Sequence, residues 1–414
     1  MQKTVNTKTS VKDSTLPTYF IHTFGCQMNH KDSQNMAGVL EALGFVETKK
    51  VNKANVVIIN TCSVRQASED KTYGFGLKFK EYEKRVISNK KDSPQILQKW
   101  SKNKPLTFIT GCMVGSAKGA RTRFGLNYLK NKMPWADYFL APNEESLLPK
   151  ILLKEKLIDD WAIKSLGNID LEFMAKRGES QTAFINISYG CDNFCTFCVV
   201  PYARGGEISR PKDEILKEVE HAVIRGYSHI MLLGQNVNSW MLTPTQKLKT
   251  RKKIGKHPFA QLLQKIHKIK GVKKISFITS NPWDFTPDLV KTLKLPKIER
   301  FLHLPIQSGN NEVLKNMNRR HTVEDYIELI NDIKKEVPDM IFGTDIIVGF
   351  PGETKEQFMD TVNLFKKVKF KVAYISIYSS RKGTPAAEHL IDDVSLAEKK
   401  RRHKLLYKVF EENK

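Results

Sequence analysis

The sequence predicts an α/β protein: an N-terminal open parallel-sheet α/β domain followed by a partial (β/α)6 barrel. Three observations predict it. Short β-prone runs alternate with helical patterns from residue 19 onward, each of the first three runs leads directly into a cysteine, and six further strand–helix units follow a polar stretch near residue 170. A chain of 414 residues, 40% of them hydrophobic, is long enough to bury more than one core.

Residues 1–17 are polar, rich in Thr, Lys and Ser, and lack an apolar h-region, so they read as a flexible tail. The first domain is expected over 18–155. Its strands are residues 19–23, 56–60 and 106–110, and a helix over 33–43 closes at Gly44. In an open parallel sheet, ligands gather at the carboxyl ends of the strands. Cys26, Cys62 and Cys112 each stand at such an end, so they are expected to converge on one edge and share a ligand. The alternative is three separately buried thiols. Residues 166–180 read as a linker.

The barrel is expected over 177–407, with strands at 183–188, 229–233, 274–279, 301–305, 341–348 and 372–378. The helix over 213–225 lines one face with Ile215, Leu216, Val219, Ala222 and Val223, and Gly226 ends it. Barrel chemistry sits at the C-terminal rim of the strands. Gln235 and Asn236 end the second strand there. His303 and Gln307 lie near the end of the fourth, and Gly349, Gly352 and Glu353 follow the fifth. A strand histidine, a glycine turn and a helix-entry carboxylate each have structural readings as well.

Charge narrows the partners. The 68 basic residues against 44 acidic give a net +24, which favours a polyanion such as nucleic acid over a generically basic surface. No run approaches the ~20 apolar residues of a spanning helix, and with no export signal the chain is expected in the cytoplasm. Six cysteines in that setting argue against a disulfide framework.

The run "GCDNFCTFC" sets Cys191, Cys195 and Cys198 at C-x3-C-x2-C spacing directly after the first barrel strand. Three thiolates in a tight loop bind three irons of a 4Fe–4S cube and leave the fourth open. A structural zinc site needs a fourth Cys or His, and none occurs between Tyr189 and Lys212.

This spacing resembles the radical S-adenosylmethionine (SAM) superfamily. "GCQMNHKDS", "NTCSVR" and the "GC" at Cys112 resemble the N-terminal domain of its methylthiotransferases. So do "CVVPYARGGEISRP", "LLGQNVNSW", "FLHLPIQSG" and "DIIVGFPGET", in family order from Thr18 to Lys414. "GCQMN" and "LLGQNVNSW" resemble the MiaB type. The resemblance implies two 4Fe–4S clusters: an auxiliary one on Cys26, Cys62 and Cys112 that holds the sulfur, and a radical one on Cys191, Cys195 and Cys198 that binds and cleaves SAM. Arg204, Glu207, Ser209 and Arg210 follow the radical loop and are candidates to touch SAM or the cluster, and Gln235 and Asn236, at the expected barrel rim, are further candidate SAM contacts. For the residues after Cys198 a surface or helix-entry role stands beside this one, Ser209 as a cap included.

The implied reaction adds a methylthio group to C2 of N6-isopentenyladenosine next to the anticodon of tRNA, with SAM as methyl donor and radical source. A low-potential donor such as flavodoxin or ferredoxin is the implied electron partner. Threonylcarbamoyladenosine in tRNA or a ribosomal protein are alternative substrates, and a non-enzymatic two-cluster electron carrier is an alternative of another class. The family's C-terminal TRAM domain is expected to be absent, since residues up to Lys414 end in a basic helix.

Overall fold

The computed structural model describes residues 16–64, 66–76, 105–119, 121–142, 144–167, 171–178, 180–249 and 251–414. Of the expected tail, residues 1–15 lie outside the described residues. β1 (Thr18–Phe24), β2 (Val46–Glu47), β3 (Val56–Thr61), β4 (Leu106–Gly111) and β5 (Tyr138–Leu140) form a parallel sheet in the order β2-β1-β3-β4-β5. β3 is buried along its whole length, and it reads "VVIINT", the near-continuous apolar run of a strand covered on both faces. One cover contains Met36, Val39 and Leu40 of the helix Gln27–Ala42; the other contains Met113, Val114 and Leu129.

That first helix begins six residues before the expected 33. Its opening turns are polar and read as loop, but Asn29, Lys31, Asp32, Ser33 and Asn35 are all buried. Asn29, Lys31, Asp32 and Ser33 pair with other buried polar groups, so hydropathy does not reveal the helix start.

The apolar packing of the first sheet continues past residue 155, through Leu157, Ile158, Ala162, Leu166 and Met174. The segment expected as linker is tied down as well. Lys176 pairs with Glu47 at 2.7 Å, and Arg177 with Glu218 at 2.8 Å.

Six parallel strands then follow in chain order. β6 (Thr182–Asn186), β9 (His229–Leu233) and β10 (Lys274–Phe277) form one sheet. β11 (Phe301–His303), β12 (Ile341–Val348) and β13 (Val372–Ile377) form the next. A single parallel bridge, Ile275 with Ile298, joins the two into an open arc. One core runs around it, from Ile185 and Leu232 through Ile275 and Leu302 to Phe342 and Ile346. The last helix, Leu396–Asn413, adds Leu406 to that core and, beyond the expected end at 407, Val409 and Phe410. No helix among the described residues is long and apolar enough to cross a membrane.

Candidate active site

β1, β3 and β4 are neighbours, and each ends at one of the first three cysteines. Cys26 caps the helix Gln27–Ala42, Cys62 donates its backbone N–H to Phe24 O at 2.8 Å, and Cys112 opens the helix Cys112–Lys118. A side-chain brace fixes these ends. Asn29 Nδ2 donates to Asn60 Oδ1 at 2.8 Å, and Asn60 Nδ2 donates to Asn29 O at 2.8 Å and to Ser33 Oγ at 3.0 Å. Gly111 has φ +95°, and a Cβ there would meet Asn60 Oδ1 and Thr61 O at 2.4 Å. Only glycine lets β4 turn beside the brace.

The Cys62 thiol bonds to Cys112 and the Arg204 guanidinium stands beside it, and both hold the Cys112 thiol below its ordinary range. That same bond and burial raise Cys62, while burial raises Cys26.

The second set lies on an excursion from the barrel. β7 (Ser188–Tyr189) and β8 (Ile208–Ser209) pair antiparallel and close its base. Between them Cys198 N donates to Cys195 O at 2.9 Å and Cys191 N to Gly205 O at 3.2 Å. Thr196 N–H donates to Met317 O at 3.1 Å, and Asn318 Nδ2 to Phe194 O at 3.0 Å, which ties the loop to the segment after β11. Arg319 Nη1 donates to Cys195 Sγ at 3.5 Å. Burial pushes Cys191 upward and Cys198 up to about 12. Such thiols ionise when a metal takes the proton's place.

The two sets face each other across the domain contact. The helix Cys112–Lys118 packs on the short helix Val200–Ala203, so closely that a Cβ on Gly115 would lie 1.8 Å from Ala203 O. Arg204, next in the chain, donates to Cys112 Sγ at 3.3 Å and to Asp32 Oδ2 at 2.6 Å. Cys112 adds to the upward push that burial gives Cys198. Glu218 is completely buried and joins the halves, taking Lys31 at 3.0 Å, Arg177 at 2.8 Å and Arg210 at 2.7 Å.

The remaining expected residues divide. Glu207 is buried on Lys247 at 2.9 Å, and burial raises its carboxyl. Ser209 does not cap a helix; its Oγ accepts from Met241 N at 2.9 Å, and Pro211 holds the cap position. Gln235 reaches across to Met28 Sδ at 2.6 Å, while Asn236 bonds to Ser239. His303 pairs with Asp345 at 3.1 Å beside the exposed Tyr374. Gln307 adopts φ +80° and its N–H donates to Asp345 O at 2.9 Å. Glu353 accepts from Gly349 N at 2.7 Å and Arg402 at 2.8 Å, so it braces the turn and pins the last helix. Gly352 donates its N–H to Asp393 in the same turn.

Asn29, Asp32, Asn60 and Arg319 belong to the site but were not singled out from sequence. Asn29 and Asp32 lie within "GCQMNHKDS" and Asn60 within "NTCSVR", so the motifs themselves were the available signal.

The donor sets suit clusters. Each set consists of three free thiols, and a cube engages its thiolates through different irons. Ser188 Oγ and Ser280 Oγ, both beside barrel strand ends, are buried without a hydrogen-bond partner, which leaves polar groups for a bound ligand.

Residues 185–365 match the Radical SAM superfamily, and residues 18–125 match Uncharacterized protein family UPF0004. The tRNA-2-methylthio-N(6)-dimethylallyladenosine synthase of Carboxydothermus hydrogenoformans is 40% identical over 376 residues, 89% of this chain and 78% of that protein. The chain belongs to this synthase family. The synthase of the same name from Acetivibrio thermocellus is 38% identical over 411 residues, 98% of this chain and 78% of its own. The fold is shared with the radical SAM methyltransferase TsrM of Kitasatospora setae, with a TM-score of 0.59 and 12% identity over 89% of this chain and 77% of that one. As a member of the synthase family the chain is a radical SAM enzyme, and its cofactors are SAM and 4Fe–4S clusters.

Proposed function

We propose that this chain is a tRNA methylthiotransferase that adds a methylthio group to C2 of N6-isopentenyladenosine at position 37, next to the anticodon. The observation that carries the reading is the facing pair of three-cysteine sets, with Arg204 of the radical loop bonded to Cys112 of the other. Cys191, Cys195 and Cys198 would hold the radical cluster and SAM, with Glu207, Ser209, Gln235 and Asn236 around them. Cys26, Cys62 and Cys112 would hold the auxiliary cluster. Bound there, the two 4Fe–4S clusters and SAM supply the homolysis that removes hydrogen from C2, together with the sulfur and methyl that replace it.

What the chain itself contributes is placement. The 18–155 half, with its helical extension to Met174, presents one thiol set, and the 177–407 half presents the other. The Asn29–Asn60 brace, Gly115 and the Glu218 charge cluster fix their separation, because group transfer needs both reacting partners within reach. The polar His303–Asp345 pair and Tyr374 offer groups that orient a base. RNA suits the site, since single-stranded bases splay out into pockets. The +24 charge supports both tRNA and an acidic low-potential donor such as flavodoxin or ferredoxin as partners, in the cytoplasm.

The test is expression in a bacterial strain without its own methylthiotransferase, followed by mass analysis of tRNA nucleosides. Methylthiolated isopentenyladenosine is expected. Unmodified tRNA with methylthiolation of a ribosomal protein would overturn the substrate assignment.

A further inference from the structure

A cavity of about 450 Å3 opens at the C-terminal rim of the barrel, between the segments that follow β9, β10 and β11. Lys247, Lys249, Arg251, Lys252 and Arg320 line it, against two carboxylates, Asp325 and Glu328. Three of the cations are engaged: Lys247 by Glu207 at 2.9 Å, Arg251 by Asp332 at 2.6 Å, and Lys252 by Glu328 at 2.5 Å. Among the described residues Lys249 and Arg320 have no carboxylate partner, and both are exposed. Arg320 is held in place by its bond to Lys247 O at 3.0 Å.

The back wall leads to the radical loop. Trp283 is stacked on His321 at 5.4 Å and carries the Arg319 guanidinium 4.6 Å above its ring. That same guanidinium reaches Cys195 Sγ. Trp283 Nε1 and both ring nitrogens of His321 are buried without a partner. A cationic mouth over unpaired polar groups is a setting that an oxyanion relieves.

We propose that this recess takes a backbone phosphate of the RNA strand, beside the nucleotide presented to the radical loop; the inference rests on the tRNA reading above. A strand is favoured over a small anion because exposed cations follow the lining residues directly in the chain, at Lys253 and Lys256.

The experiment measures binding of a synthetic anticodon stem–loop RNA by fluorescence anisotropy across a salt series. Removal of two phosphate contacts in Lys249→Ser/Arg320→Ser should weaken binding about tenfold near 0.1 M salt and flatten the log–log salt slope by roughly one and a half. Lys249→Arg/Arg320→Lys should retain affinity. Lys270→Ser/Lys273→Ser, two exposed lysines before β10 at the other end of the strands, should bind like the parent. Equal losses in the two serine pairs would reduce the effect to net charge and overturn the site, as would full affinity in the first. Displacement of RNA by low-millimolar inorganic phosphate at constant ionic strength would assign a small-anion site instead. If the parent protein binds no RNA, the tRNA reading itself fails; if it binds and the first pair binds equally, only the recess does.

Discussion

Arg204 is buried and serves two groups at once, the Asp32 carboxylate at 2.6 Å and Cys112 Sγ at 3.3 Å. Breaking a buried pair strands a charge, whereas replacing both members by apolar groups does not. Arg204→Met should therefore cost about 3–5 kcal/mol in anaerobic urea unfolding. Arg204→Met/Asp32→Leu should recover most of that loss, and a double variant as unstable as the single one would refute the pairing. A second residue gives a pH dependence. His257 is buried, which holds it down to about 4 from an ordinary 6.5. It folds neutral, so its contribution is intact above pH 6.5 and is lost as pH falls toward 4, up to about 3 kcal/mol. His257 Nδ1 also accepts the Phe259 N–H at 3.1 Å at a helix start. His257→Asn keeps a capping acceptor, and its stability should vary less than the parent's across that window in parallel melts at pH 7 and pH 5. These roles were hidden in the sequence for one reason: a long or polar side chain leaves its motif in a direction that spacing does not specify. The six cysteines needed no direction to stand out, since strand ends and loop spacing already marked them.

The elements show the same division. Helices with a clean apolar stripe were legible, and Lys212–Ile224 buries Ile215, Val219 and Ala222 of the expected face. The helix Gln27–Ala42 was legible only in its second half, because its first turns bury polar residues against the other domain. The helix Cys112–Lys118 depends on a contact that no periodicity records. With Gly115 against Ala203 O, an added Cβ at 1.8 Å meets backbone, which cannot rotate away. Gly115→Ala should thus cost about 1–3 kcal/mol through overpacking and push the two helices apart. Reductive cleavage of SAM should survive, while formation of the methylthio product should drop at least tenfold, because only the second step requires both thiol sets at a fixed separation. Proportional loss of both activities would show that the contact supports folding alone.

At the scale of the whole molecule, two sheets with independent cores bring their carboxyl-end cysteines together. The division of labour between them is what the architecture predicts most sharply. Reconstituted protein should hold about eight irons, two cubes, and triple Cys→Ala replacement in either set should leave about half. The barrel set lies on the loop anchored to Met317, Asn318 and Arg319, inside the domain that carries the SAM site. Cys195→Ala should therefore abolish 5′-deoxyadenosine production. The other set belongs to the first sheet and meets the radical loop through Arg204 and the packed helices, so radical formation is expected not to require its thiols. Replacement of Cys26, Cys62 and Cys112 should leave 5′-deoxyadenosine measurable while methylthiolated adenosine disappears, since carbon–sulfur bond formation needs a metal-bound sulfur within reach. Chromatography of both products from the two variants decides it. Continued methylthiolation by the Cys26/Cys62/Cys112 variant would make the auxiliary cluster a structural element and remove the sulfur-transfer role from the first sheet.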